Sequence, residues 1–218
     1  MHSNLEKLSV VKNKVNKITS EKQLKTRPQI VIVSKKFTLE KIKPLFDAGH
    51  THFGENKVQE AIDKWSEIKA TNKNLKLHML GGLQSNKAKK AVKLFDYIHS
   101  LDNAKLASKI FQYEKELNKK VKLFIQVNIG NEDQKSGISL SEIENFFYYC
   151  KKKLSLDVIG LMCIPPIGSD PTEYFKLLKN TADKLNLKEL SMGMSADFEQ
   201  AILNGSTYLR LGTIILGE

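Results

Sequence analysis

The sequence predicts an α/β fold: a single (β/α)8 TIM barrel with an extra amino-terminal helix, spanning residues 1–218 as one domain. Three observations lead there. Apolar runs rich in β-branched residues alternate with amphipathic stretches, and eight such strand–helix units can be marked along the chain. The connections between them are short, which favours right-handed parallel crossovers. The turn after the first run, Ser34-Lys35-Lys36, lacks the glycines that an open doubly wound sheet places there. Eight parallel units close into a ring with no exposed sheet edge.

Taken in order, Leu5, Leu8, Val11, Val15 and Ile18 recur at helical spacing and give the leading helix. The first strand, 29–34, carries Ile30-Val31-Ile32-Val33, the pattern of a strand buried on both faces. Thr38 caps a helix over 39–48 that closes at Gly49. A short strand at 51–55 leads into a helix beginning at Asn56, with Val58, Ala61, Ile62, Trp65 and Ile68 inward. The third strand, 76–80, ends at Gly81-Gly82, and a helix follows from about Ser85. The fourth strand is 97–100, and Asp102 caps its helix. The fifth, 121–128, precedes a helix opened by a Ser141/Glu144 capping box. The sixth, 157–163, precedes Asp170-Pro171, read as cap and first helical residue. The seventh is 189–194, with Ser195 capping a short helix closed by Gly205, and the eighth is 207–211, followed by Gly212-Thr213.

Composition removes several classes. No apolar run reaches the ~18 residues of a membrane span, and the first residues carry no apolar signal core, so a cytoplasmic protein is expected. Cys150 and Cys163 fall in no C-x-x-C pair and read as reduced, buried thiols without disulfide or metal roles. The net charge of +11 raises nucleic-acid binding. Against it, the lysines are dispersed over helix faces, Arg27 and Arg210 are the only arginines, and no aromatic-rich RNA motif is present. No exposed heptad or broad apolar stripe argues for more than a monomer.

A closed barrel gathers its strand ends in one mouth. The polar residues expected there are Lys35, Glu55, Asn56, His78, Ser100, Asn128, Ser191, Ser195 and Arg210. A lysine at the carboxyl end of a buried strand is expected to be partly desolvated, which frees a nucleophilic amine able to form Schiff bases. Its ordinary alternative is a strand-end lysine that snorkels to water. Gly193-Met194-Ser195 and Gly212-Thr213 follow the seventh and eighth strands, where barrels cradle phosphate. Each is otherwise a plain turn or cap. An amine facing a phosphate cradle suggests pyridoxal 5′-phosphate (PLP), whose aldehyde and phosphate sit at opposite edges of one ring. Arg210 can then donate to the pyridine nitrogen, and a permanent cation there disfavours ring protonation and weakens the electron sink. That suits cofactor storage or mild proton exchange. A cofactor-free Schiff-base aldolase would leave Arg210 and the cradle without a common purpose.

The ordered motifs Val33-Ser34-Lys35, Phe53-Gly54-Glu55-Asn56-Lys57-Val58-Gln59-Glu60, His78-Met79-Leu80-Gly81-Gly82-Leu83-Gln84-Ser85-Asn86-Lys87, Gln126-Val127-Asn128, Lys135-Ser136-Gly137, Gly160-Leu161-Met162, Ser191-Met192-Gly193-Met194-Ser195-Ala196-Asp197 and Arg210-Leu211-Gly212-Thr213 span nearly the whole chain. In this the chain resembles the YggS/PROSC-type pyridoxal phosphate homeostasis proteins, relatives of the alanine racemase amino-terminal barrel. The resemblance implies Lys35 in covalent internal aldimine with PLP and Asn56 near the ring hydroxyl. It implies Arg210 at the pyridine nitrogen and phosphate contacts from Gly193, Met194, Ser195, Gly212 and Thr213. It further implies a protein that buffers or delivers PLP, with apo PLP-dependent enzymes as recipients, and without clear enzyme activity. The alternative is an amino-acid racemase or related enzyme of weak activity. Barrel racemases, however, add a β-rich domain carrying the second base, for which no residues remain here. Lys36 doubles the lysine, with Lys35 in the motif register. The chain stops at Gly217-Glu218, short of the family's usual last helix, which is expected to loosen the closing edge.

Overall fold

Every predicted strand forms, and the ring closes. The computed structural model describes residues 3–25, 27–132 and 134–217. Strands β1 (Gln29–Val33), β2 (His52–Glu55), β3 (Lys76–Met79), β4 (Tyr97–Leu101), β5 (Lys122–Val127), β6 (Val158–Cys163), β7 (Glu189–Ser191) and β8 (Tyr208–Leu211) pair in parallel, each with the next, as a closed barrel. The seam is β8 on β1, in register from Gln29↔Tyr208 to Ile32↔Leu211.

Around the barrel lie α1 (Asn4–Glu21), α2 (Leu39–Asp47), α3 (Val58–Thr71), α4 (Ala88–Leu94), α5 (Ala104–Glu116), α6 (Ile143–Tyr148), α7 (Pro171–Lys184), α8 (Phe198–Leu203) and α9 (Thr213–Leu216). The leading helix is pinned by a capping box: Ser3 Oγ accepts from the Glu6 amide, and Glu6 Oε2 accepts from the Ser3 amide. It buries Leu8, Val11 and Val15 against α8 and α9. The expected loosening of the closing edge does not occur, because Ile215 and Leu216 of α9 are buried under α1 and β8 stays paired to β1.

Period-2 alternation sorts each strand. Ile30, Ile32, Phe53, Leu77, Ile98, Leu123, Ile125, Leu190, Leu209 and Leu211 belong to the apolar layer between strands and helices. A separate inner cluster of Tyr97, Phe124 and Met162, packed with Tyr208, fills the ring itself. Large barrel interiors are usually aliphatic; this one also takes in His78, His99, Ser191 and Arg210.

Helix starts differ from the sequence expectation where two polar residues compete for one role. Asn103, not Asp102, caps α5, its side-chain oxygen accepting from the Leu106 amide at 2.8 Å. The Ser141/Glu144 box does not form: Glu142 takes the cap position of α6 without a side-chain cap bond, and Ser139 Oγ donates to Glu142 Oε2. Strand β7 stops at Ser191 because the chain must turn at Gly193, whose φ of +91° an L side chain avoids.

Candidate functional site

The first element of the site is a clamp under the turn after β1. Glu55 ends β2 and faces outward toward α3, not into the mouth as its position in the sequence suggested. Its side chain is fully buried. Oε1 accepts from Ser34 Oγ at 2.7 Å, Lys64 Nζ at 2.9 Å and Trp65 Nε1 at 2.9 Å. Lys64 Nζ also donates to the Ser34 carbonyl at 2.8 Å. One carboxylate and one ammonium thus grip Ser34, the residue before Lys35. The turn closes by the Phe37 amide donating to the Ser34 carbonyl, with Lys36 left-handed at φ +66°.

Lys35 and Lys36 stand on this turn, and both are exposed. The expectation of a partly desolvated Lys35 is therefore corrected: β1 ends at Val33, the Ser34 amide makes the last ladder bond to the Gly54 carbonyl, and the lysine stands on the turn that follows. Lys35 nevertheless lines a cavity of about 430 Å³ with Val33, Lys36, Phe37, Gly212, Thr213 and Gly217. The lysine and the loop after β8 share one concave space, as the seam between β1 and β8 requires.

The two expected cradle loops are stitched together. Ser195 does not cap α8, whose cap position is Asp197; its Oγ accepts instead from the Ile214 amide at 3.3 Å. The Arg210 amide donates to the Gly193 carbonyl at 2.9 Å. Asp197 Oδ1 accepts from the Met194 amide at 2.6 Å, which fixes the Gly193–Asp197 loop internally. At Gly193 an added Cβ would lie 2.5 Å from Ala201 Cβ, so the loop sits too close to α8 for any side chain. Met194 is exposed, Ser195 and Gly212 are half-buried and Thr213 is exposed.

Arg210 is the cation of the site and is buried. Nη1 donates to Ser191 Oγ at 2.8 Å and Nη2 to the Cys163 carbonyl at 2.9 Å. Both partners are neutral, and among the described residues it forms no ion pair. Burial pulls its pKa below the usual value, with Cys163 and Asp197 pulling the other way. Burial also pushes the Cys163 thiol up to about 12, so it stays protonated and inert.

A family model described as alanine racemase, N-terminal domain, matches residues 8–218. A pyridoxal phosphate homeostasis protein of Synechocystis sp. is 38% identical over 199 residues, covering 87% of this chain and 91% of that one. This chain belongs to the pyridoxal phosphate homeostasis protein family. PipY of Synechococcus elongatus, solved with PLP bound, is 33% identical, with a TM-score of 0.84 over 98% of this chain and all of PipY. Alanine racemase from Corynebacterium glutamicum shares the fold at 16% identity and TM-score 0.66, covering 86% of this chain but 55% of the racemase.

Within this homeostasis-protein barrel the other expected mouth residues scatter. Asn56 lines a different cavity, about 330 Å³, with Lys57, Met79, Gly82, Leu83, Gln84 and Lys87. Its carbonyl lies 2.3 Å from where a Cβ on Gly81 would be, so the glycine admits the Asn56 backbone. Asn128 is spent on its own loop, bonded to the Glu132 amide and carbonyl. Ser100 is buried, and its hydroxyl has no partner among the described residues. His78 lies inside the ring rather than at the mouth. Sequence reasoning missed His99 and the Lys64–Glu55 clamp. The signals were present: His99 shares a strand face with Tyr97 two residues earlier, and Glu55 is a lone acid on an otherwise apolar outward face.

Proposed function

We propose that this protein binds PLP in the cavity between β1 and β8, linked covalently through Lys35, and acts in intracellular PLP homeostasis as a buffer and donor. One observation carries the reading: Lys35, Gly212 and Thr213 line one cavity of about 430 Å³. The residues suit the cofactor. Gly193 and Gly212 let backbone approach a phosphate, and the Ser195 and Thr213 hydroxyls offer further bonds. The Thr213 amide, in the first turn of α9, has no intrahelical partner to occupy it. A buried guanidinium without a carboxylate partner is a donor for a ring nitrogen. Asn56, one residue beyond β2, lines a cavity separate from that of Lys35, so its contact with the ring's hydroxyl edge requires the two to join when PLP binds.

PLP supplies an aldehyde that condenses with amines. The chain's own part is to present Lys35 on a clamped turn, to hold the phosphate by backbone and hydroxyl donors, and to keep Arg210 cationic, which disfavours ring protonation. A barrel acting alone as one domain, cytoplasmic and monomeric, fits this role, with apo PLP-dependent enzymes as recipients and no need of nucleic acid.

The test is absorption of the purified protein incubated with PLP, then borohydride reduction and peptide mapping. A visible band and a reduced adduct on Lys35 are expected. Lys35→Ala should lose both, and Lys36→Ala should keep them. A wild-type protein that takes up no PLP overturns the reading, and an adduct on Lys36 moves it by one residue.

A further inference from the structure

The interior of the barrel holds a continuous line of polar side chains that the binding of PLP does not by itself explain. From Arg210 Nη1 it runs to Ser191 Oγ, then to His99 Nδ1 at 2.7 Å. His99 Nε2 meets His78 Nδ1 at 2.9 Å, and His78 Nε2 meets His52 Nδ1 at 2.9 Å. His78, His99 and Ser191 have no exposed surface. His52, at the start of β2, is half-buried and ends the line at the amino-terminal rim, opposite the mouth. Aromatic neighbours fix the ring planes: His78 stacks on Tyr97 at 4.2 Å and His99 on Phe124 at 4.3 Å.

The direction of every proton follows from one end. A guanidinium can only donate. Ser191 therefore accepts from Arg210, and its single hydroxyl proton has His99 Nδ1 as the acceptor. Ser191 Oγ has no third partner among the described residues to take that proton, so His99 carries its own on Nε2 and donates to His78 Nδ1. By the same step His78 carries its proton on Nε2 and donates to His52 Nδ1. Every imidazole turns its lone-pair nitrogen toward Arg210. A buried cation with no carboxylate in hydrogen-bonding contact among the described residues is costly, and aligned neutral dipoles with their negative ends toward it add to the pull of Asp197 and offset that cost. A carboxylate in their place would neutralise the guanidinium and consume its donors. Burial holds both inner histidines neutral, well below their ordinary pKa, which the alignment requires.

We propose that Ser191, His99, His78 and His52 are positioning residues, a one-way chain of neutral donors and acceptors that solvates the Arg210 cation and leaves its remaining N–H groups free to aim at the ring nitrogen of the cofactor. The last clause rests on the PLP reading above; the chain itself does not.

Histidine-15N spectra of the protein without PLP test the chain directly. The Nε2–H tautomer is expected at His99 and His78, and an Nδ1–H tautomer at either overturns the proposal. Two substitutions then separate positioning from packing. In His99→Asn the amide oxygen stands where Nδ1 was and still accepts from Ser191. In His99→Gln the amide nitrogen stands where Nε2 was, and Ser191 loses its acceptor. Resolved, slowly exchanging Arg210 Nη signals should survive in H99N and broaden in H99Q. PLP affinity should fall about tenfold in H99Q and less than threefold in H99N. Equal effects in the two variants refute the positioning role. If H99Q does not fold, Ser191→Ala, a much smaller change, should release the His99 tautomer and weaken PLP binding by the same factor; unchanged tautomers in S191A would sink the chain. Failure of the wild type to take up PLP overturns the cofactor reading and the aim at its ring, while the spectra of the PLP-free protein still decide the polarity of the chain.

Discussion

Replacing Glu55 tests whether the lysine-bearing turn is held from behind. The carboxylate is fully buried, and Lys64 is only 12% exposed. In Glu55→Ala the ammonium keeps one backbone acceptor, the Ser34 carbonyl, and loses its counter-ion, while the Trp65 indole loses its acceptor. Removing one member of a buried pair costs about 3–5 kcal/mol, most of it from the stranded charge. For a domain of this size that is a Tm lower by roughly 6–20 °C. Glu55→Gln keeps an oxygen for Ser34 and Trp65 but sets an amide NH2 at the Oε2 position, which has no partner among the described residues. That change should cost about 2 kcal/mol. Urea unfolding at pH 7, with the midpoint read at unchanged m-value, measures each. The decisive variant is the double change Glu55→Ala with Lys64→Met, which removes the stranded cation and should recover most of the loss. A Glu55→Ala protein within 1 kcal/mol of wild type by this assay, or a double variant no better than the single one, refutes the argument.

Three further outcomes are expected. Gly193→Ala combines a left-handed backbone with a Cβ 2.5 Å from Ala201 Cβ, and should cost about 2–4 kcal/mol by urea titration and weaken PLP uptake, since the loop must move. Burial lowers His50 and His52 to about 4 each, so the folded protein binds fewer protons than the unfolded chain between that value and about 6.5. Stability is then full above pH 6.5 and falls as pH drops toward 4, by roughly 3 kcal/mol from the well-buried His50 and less from half-buried His52; His50→Gln should flatten the profile in unfolding experiments across pH. Cys150 and Cys163, both held near 12 by burial, should resist alkylation at pH 8 in the folded protein and react only on unfolding, as a thiol-reagent time course will show.

The strand order was legible because β-branched runs such as Ile30–Val33 carry the signature of a doubly covered strand, and because parallel units with short connections have few ways to close. Caps were less legible. At Asp102-Asn103 two side chains compete for one amide, and at Ser195-Asp197 the helix starts two residues later with no side-chain cap bond, Ser195 accepting from the Ile214 amide instead. Strand order alone put the loop after β8 and Arg210 beside β1, since ring closure forces β8 against β1. The exposure of Lys35 was not legible: the turn that carries it is anchored at Ser34 by Glu55, a contact across 21 residues of sequence. The histidine line was invisible for a similar reason, since it joins five strands, each contributing one unremarkable polar residue.

The exposure of Lys35 bears on what kind of PLP protein this is. An enzyme that works through a bound cofactor gains by closing over it, because excluded water strengthens each electrostatic contact and blocks hydrolysis. Here the amine proposed to react stands on an exposed turn, whereas Arg210, His78, His99 and Glu55 are buried. On the proposed reading, the buried residues recognise the cofactor, and Lys35, which bonds to it, stands where water and a competing amine can reach. Tight grip and easy release are then set by different residues. Substitutions in the buried set, at Ser191 or His99, should change how strongly PLP is held with little change in how fast hydroxylamine removes it per bound molecule. Substitutions that cover Lys35, such as Lys36→Trp, should slow that removal at nearly constant affinity. Identical release rates in both classes would show that the exposed turn plays no part in letting the cofactor go.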